Sequence, residues 1–141
     1  MTVSKGAGVL TFFVLVLAAG CGSEKKAEEG GAEKECESVP AAMAGNPTLP
    51  TKFPTPDNVT YTGQKKTGPS SVVSGYRDGE LGDAFDEYKS AFDSAGYQVT
   101  DDEKEEDDAE VNFAGGNSTG QVKMIQSCKD RTSLAITIRP Q

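Results

Sequence analysis

Leu81-Gly82-Asp83-Ala84-Phe85-Asp86-Glu87-Tyr88-Lys89-Ser90-Ala91-Phe92-Asp93-Ser94-Ala95 is the stretch on which the fold turns. Its apolar residues Leu81, Ala84, Phe85, Tyr88, Ala91, Phe92 and Ala95 recur at steps of three and four, which predicts an α-helix over 80–95 with one apolar stripe. Asp83, Asp86, Glu87, Lys89 and Asp93 fall on the face toward water. Asp78 or Gly79 is placed to start the helix, and Gly96 to end it as the C′ residue. The stripe is expected to be the helix's half of a core. A ligand pocket near Phe85, Tyr88 and Phe92 is the alternative.

On both sides the period is two. Val59 and Tyr61 alternate with Thr60 and Thr62, and Val72 and Tyr76 share a face of 70–77. Lys65 to Pro69 reads as the turn of that hairpin. Beyond Gly96, alternation returns at Tyr97 and Val99, at Val111 and Phe113, at Val122 and Met124, and at Leu134, Ile136 and Ile138. Ile125 interrupts the third run, which suggests a bulge there. The connections expected are the acidic run 101–110, Gly115 to Gly120, and Lys129 to Arg131. Connections this short imply antiparallel neighbours. The predicted class is α+β, with one antiparallel sheet, one helix packed on one face, two layers and the order ββαββββ. The other face of the sheet is expected to be wet.

Residues 37–57 carry Pro40, Pro47, Pro50, Pro54 and Pro56, a spacing incompatible with a long helix or a central strand. They predict an extended Pro-rich N-terminal strap anchored by Leu49 and Phe53, with one helical turn at Met43, near 39–44. A proline-rich ligand for a partner is the competing use of such a segment.

The N-terminus carries an address. Lys5 is the only charged side chain in the first 23 residues, and Val9 to Ala19 is apolar except at Thr11. Eleven helical residues span about 16 Å against a hydrocarbon core of about 30 Å, too short to cross comfortably. A basic start, a short apolar run and small residues at its end read as a secretory signal over 1–20. Leu17-Ala18-Ala19-Gly20-Cys21 resembles the lipobox of bacterial lipoproteins. Ala18 stands where that family usually has leucine. The resemblance implies cleavage before Cys21, a diacylglyceryl group on its sulfur and a palmitate-type acyl chain on its new amino terminus. It places the protein on the extracytoplasmic face of a bacterial cell membrane. More than one acyl chain anchors a soluble domain stably. Residues 21–35 then make the lipidated Cys and a polar, disordered tether, followed by a single small domain over 36–141.

That domain has 23 residues of the types Val, Ile, Leu, Met, Phe and Tyr among 106, a thin core. With Cys21 assigned to lipid, Cys36 and Cys128 remain, and in an exported chain they are expected to form a disulfide. A redox pair is the alternative; there is no Cys-x-x-Cys and no His to activate either thiol.

Composition narrows the function. The chain of 141 residues has net charge −8, no His and no Trp. The charge speaks against nucleic acid, which calls for a basic face. The absence of His removes the commonest acid/base and zinc ligand. Neither cofactor nor metal is expected. The acids of 101–110 do not follow an EF-hand spacing and read as a solvated hairpin tip, with weak Ca²⁺ binding the alternative. Gly115-Gly116-Asn117-Ser118-Thr119-Gly120 lacks the Lys and the following helix of a phosphate loop, so a hairpin turn is expected. Ser70 and Ser71 have no His partner; whether a Ser–Lys pair or two carboxylates meet is left to the fold. The expected function is non-catalytic recognition of an envelope protein or wall polymer. The alternatives are a small-ligand module with a pocket between helix and sheet, and a small hydrolase.

Overall fold

The computed structural model describes residues 35, 36 and 38–141. The expected signal over 1–20, Cys21 and the expected tether up to residue 34 lie outside the described residues. Among those described, no helix is long and apolar enough to cross a membrane.

Six strands, β1 (Val59–Thr67), β2 (Ser70–Asp78), β3 (Gln98–Lys104), β4 (Asp108–Gly115), β5 (Ser118–Cys128) and β6 (Arg131–Pro140), form one sheet. One helix, α1 (Leu81–Ser94), lies between β2 and β3 in sequence. The strand order is β1-β2-β6-β5-β4-β3, antiparallel throughout. The chain order is therefore ββαββββ, with α1 over β3, β4, β5 and β6 on one face.

The helix buries Leu81, Ala84, Phe85, Tyr88 and Phe92, as its period requires. Against them the sheet presents Val73, Val111, Phe113, Val122, Met124, Leu134 and Ile136, each buried in the same core. The helix ends as a Schellman motif. Gly96, at φ 76°, donates its N–H to the Asp93 carbonyl, and Tyr97 donates to the Phe92 carbonyl. Its start differs from expectation. Glu80 is the N-cap and makes no side-chain cap bond; the Leu81 N–H donates instead to Oε1 of Gln126, on β5, at 2.6 Å. A distant strand supplies the cap because the helix start sits over the sheet, where water has no access to that donor.

Several expected connections are shorter in the structure. Only residues 105–107 separate β3 from β4, so most of the acidic run lies within strands and is not a hairpin tip. Main-chain pairing on an edge strand tolerates acids whose side chains reach water or a cation: Asp102 meets Lys89 of α1 in an ion pair. Likewise β4 and β5 are joined by Gly116 and Asn117 alone, both at positive φ, 55° and 58°. This is the two-residue turn that matches strand twist. Gly120 belongs to β5, opposite Phe113. A Cβ there would lie 2.6 Å from the Phe113 ring and would overlap the Thr137 carbonyl oxygen.

The two faces of β2 are also assigned differently. Val73, not Val72 or Tyr76, points into the core. Val72 and Tyr76 do share a face, but it is the outer one, where Tyr76 is covered by Arg131 at 5.0 Å from its ring. Ile125 causes no bulge; it is 44% exposed on the outer face in unbroken alternation with buried Val122 and Met124. The bulge comes at Ser127, where the register shifts between Gln126 and Cys128.

Residues 38–57 contain no helix or strand, so the helical turn expected at Met43 is absent. Its N–H donates instead to the Tyr61 carbonyl on the edge strand β1, a bond that a helical turn would not allow. Farther along, the Thr48 N–H donates to Oε1 of Gln64, and Nε2 of Gln64 donates back to the Thr48 carbonyl. The strap therefore begins on the outer face, passes the β1 edge and ends in the core. There Phe53 packs edge-on against Phe92 and Phe113, with centroids 5.4 and 5.3 Å away. Leu49 packs against the same core at its margin.

Candidate functional site

Cys36 and Cys128 are joined in a disulfide, with Cα atoms 5.3 Å apart across 92 residues of sequence. Alternation along β5 puts Val122, Met124 and Gln126 on the helix side, so Cys128 would follow them inward. The extra residue at Ser127 reverses this and sets Cys128 opposite Arg131, on the outer face. Only there does it meet the strap. Arg131 reinforces the junction by donating from Nη1 to the Ser38 carbonyl, with Asp78 3.5 Å from its Nε.

The space near Phe85, Tyr88 and Phe92 is filled by side chains. Phe92 and Phe113 stack at 4.8 Å, Tyr88 lies 6.1 Å from Phe92, and Tyr88 and Phe92 are fully buried. The pocket expected between helix and sheet is thus occupied by the core, because the aromatic rings of both layers interlock there. One polar feature sits inside it. The hydroxyls of Tyr61 and Tyr88 are buried, influence each other, and have no formed hydrogen bond. Burial, before any other cause, pushes both phenols above their ordinary value.

The open surfaces lie elsewhere. A cavity of about 430 Å³ opens between the strap and β1, with Leu49, Pro56, Val59 and Tyr61 among its walls. On the outer face, direct cross-strand partners share a side. One row there runs Asn112, Gln121, Thr137, Val72 across β4, β5, β6 and β2. The next runs Glu110, Lys123, Ala135, Ser74. In that second row Lys123 bridges Glu110 at 2.8 Å and Asp108 at 3.3 Å, and the hydrogen bond to Glu110 leads the effects that raise its ammonium pKa. A depression of about 240 Å³ lies at the first row, and Arg139 borders it.

Other sequence candidates take ordinary structural places. Ser71 accepts a hydrogen bond from Nε2 of Gln64. Asp102, Asp108 and Glu110 are paired with lysines. Among the described residues, no group of three or more His, Cys, Asp or Glu is arranged to hold a metal ion. Gln126, which joins helix, strand and the following turn, is a polar residue at an inward position of β5, and the bulge expected at Ile125 hid that position from the sequence.

No protein-family model matches the chain, and no curated protein or solved structure shows significant similarity to it.

Proposed function

We propose that this protein is a lipid-anchored recognition domain, carried outside a bacterial cytoplasmic membrane on Cys21 and presenting the outer face of its sheet to an envelope partner. The observation that carries the reading is the Cys36–Cys128 bond. It accounts for two of the three cysteines and suits an oxidising compartment. The third, Cys21, stands at the end of the lipobox-like run. The tether enters the domain at Cys36, so the polar rows of the sheet lie on the face where the strap begins. Side chains on that face include amides, hydroxyls and paired charges, suited to hydrogen-bonded contact with a protein or wall polymer, with Ile125 exposed among them.

Cross-linking in intact cells, followed by recovery of the full-length protein and mass spectrometry, tests this reading. One envelope component is expected reproducibly, and its yield falls when outer-face residues are changed. Recovery of only bulk membrane protein would overturn it. The cavity of about 430 Å³ between strap and β1 favours a second reading, a small-ligand module. That reading places the ligand against Leu49 and Tyr61, and a bound small molecule in native mass spectra would support it.

A further inference from the structure

We infer that the open edge of β3, at Asp102 and Lys104, is a docking site for an extended, lysine- or arginine-rich segment of a partner protein, which pairs there as a further strand. The inference rests on the recognition role proposed above and names the partner's chemistry.

The sheet has two edge strands, β1 and β3. The strap runs along β1: its Met43 N–H donates to the Tyr61 carbonyl, and its Thr48 is held by Gln64. Among the described residues, nothing pairs with the far side of β3. Register shows which of its main-chain groups are unused. The Glu105 N–H donates to the Asp108 carbonyl across the turn at 2.8 Å. Antiparallel pairing alternates, so Glu103 and Asp101 also turn their main-chain groups to β4, whereas Asp102 and Lys104 turn theirs outward. Edge strands are commonly shielded by a proline or by a lysine beside the open groups. β3 has no proline, and its one lysine is drawn away: Lys104 Nζ lies 5.5 Å from the centre of the Phe85 ring on α1. The Asp102 carboxylate is likewise held toward α1 by Lys89. An edge left open in this way is a template for one more strand.

Side chains on the outer face set the charge of that strand. Glu103 stands directly opposite Glu110, an arrangement of like charges that opposes pairing. Lys123 bridges Glu110 and Asp108, but among the described residues no cation pairs with Asp101, Glu103 or Glu105. All three are exposed. A cation on the next strand, on the same face, offsets Glu103 from its free side. These acids occupy every second position, so the segment that fits carries its cations at the same spacing. Two copies of this edge would bring the same acids against each other, which speaks against self-pairing.

Nuclear magnetic resonance titration of the full chain tests this, with a hexapeptide of alternating lysine and threonine as the probe. The amide signals of Asp102 and Lys104 are expected to shift and to exchange more slowly with solvent, because both N–H groups gain partners. The same peptide with every backbone nitrogen methylated keeps its charge but cannot donate, and should bind about tenfold more weakly. Lys104→Pro removes an outward N–H, leaves the bonds to β4 and makes the chain more acidic. It should weaken the lysine peptide about tenfold, where simple attraction to the acids would tighten it. Glu103→Lys should reverse the preference between the lysine peptide and a glutamate–threonine counterpart, and it suits the fold because it places a cation opposite Glu110. No shift at about 1 mM peptide, equal binding of the methylated peptide, or unchanged binding by both variants would overturn the inference. So would protection of Asp102 and Lys104 that grows with the concentration of the chain alone, which assigns the edge to a second copy. If the peptide fails while cross-linking recovers an envelope component, the basic-strand edge is wrong and recognition stands. If both fail, the reading beneath it fails too.

Discussion

Gln126 accepts the Leu81 N–H through Oε1 at 2.6 Å while its Nε2 donates to the Cys128 carbonyl at 2.7 Å. One buried amide thus caps the helix and holds the bulge that turns Cys128 outward. Thr132, fully buried, lies alongside and donates to the Gly79 carbonyl at 3.1 Å. The start of the helix, the end of β5 and the disulfide are tied through this single side chain.

Gln126→Leu should therefore cost more than a surface change. It strands the Leu81 N–H in the interior, at about 1–3 kcal/mol for an unsatisfied group, and removes the amide donor to the Cys128 carbonyl. Urea unfolding should show a lower midpoint with an unchanged slope. Hydrogen exchange at Leu81 should speed up more than at Phe113. Equal protection at Leu81 in both proteins would argue against the cap.

The strap depends on its bond. Cys36→Ser should lower stability by about 4 kcal/mol in the chain-entropy account of a loop this long. Calorimetry under oxidising conditions should show the loss, and a thiol reductant should lower the wild-type melting temperature without affecting the variant. An unaltered melting temperature in Cys36→Ser would mean that the bond contributes nothing to folding.

Gly120→Ala probes the close approach of β5 to its neighbours. The added methyl meets the Thr137 carbonyl and the Phe113 ring, and the carbonyl belongs to a strand paired on both sides. Overpacking of this kind costs about 1–3 kcal/mol. Gly63→Ala, where nothing lies within 4 Å of an added Cβ, is the control and should change stability little. A loss as large at Gly63 would show that backbone preference, not contact, is responsible.

Alkaline pH should destabilise the fold through its tyrosines. Burial raises the Tyr61 and Tyr88 phenols above their unfolded value of about 10, so the folded state keeps protons that the unfolded state loses. Stability from this source is full below pH about 10 and falls as pH rises beyond it. The raised ammonium pKa of Lys123 acts in the same direction. The double variant Tyr61→Phe/Tyr88→Phe removes two unsatisfied hydroxyls together, so it should be neutral or stabilising at pH 7 and flatten the alkaline decline. A decline as steep as in the wild type would assign it to other groups.

Period and punctuation made most of this fold legible. The three-and-four spacing from Leu81 to Ala95 defines a helix whatever surrounds it, and Gly96 ends it because it takes positive φ without strain. Alternation at Val111 and Phe113, and at Leu134, Ile136 and Ile138, likewise fixes strands and their inward side. Proline spacing kept 38–57 out of regular structure. These signals are local, carried by a residue and its near neighbours. The pairing of Cys36 with Cys128 was also open to reading, through arithmetic that first set Cys21 aside.

Tertiary structure alone decided the rest. Val72 and Val73 are chemically equivalent neighbours, and only pairing with β6 selects Val73 for the core. The bulge falls at Ser127 because Cys128 has to reach the outer face, a demand set by a residue 92 positions away. The acids of 101–110 divide between strands and turn according to the register of β3 on β4. Gln126 gains its role from a helix start 45 residues earlier. Side chains distant in sequence settle these matters by competing for the same space and the same hydrogen bonds, and no local pattern records the result.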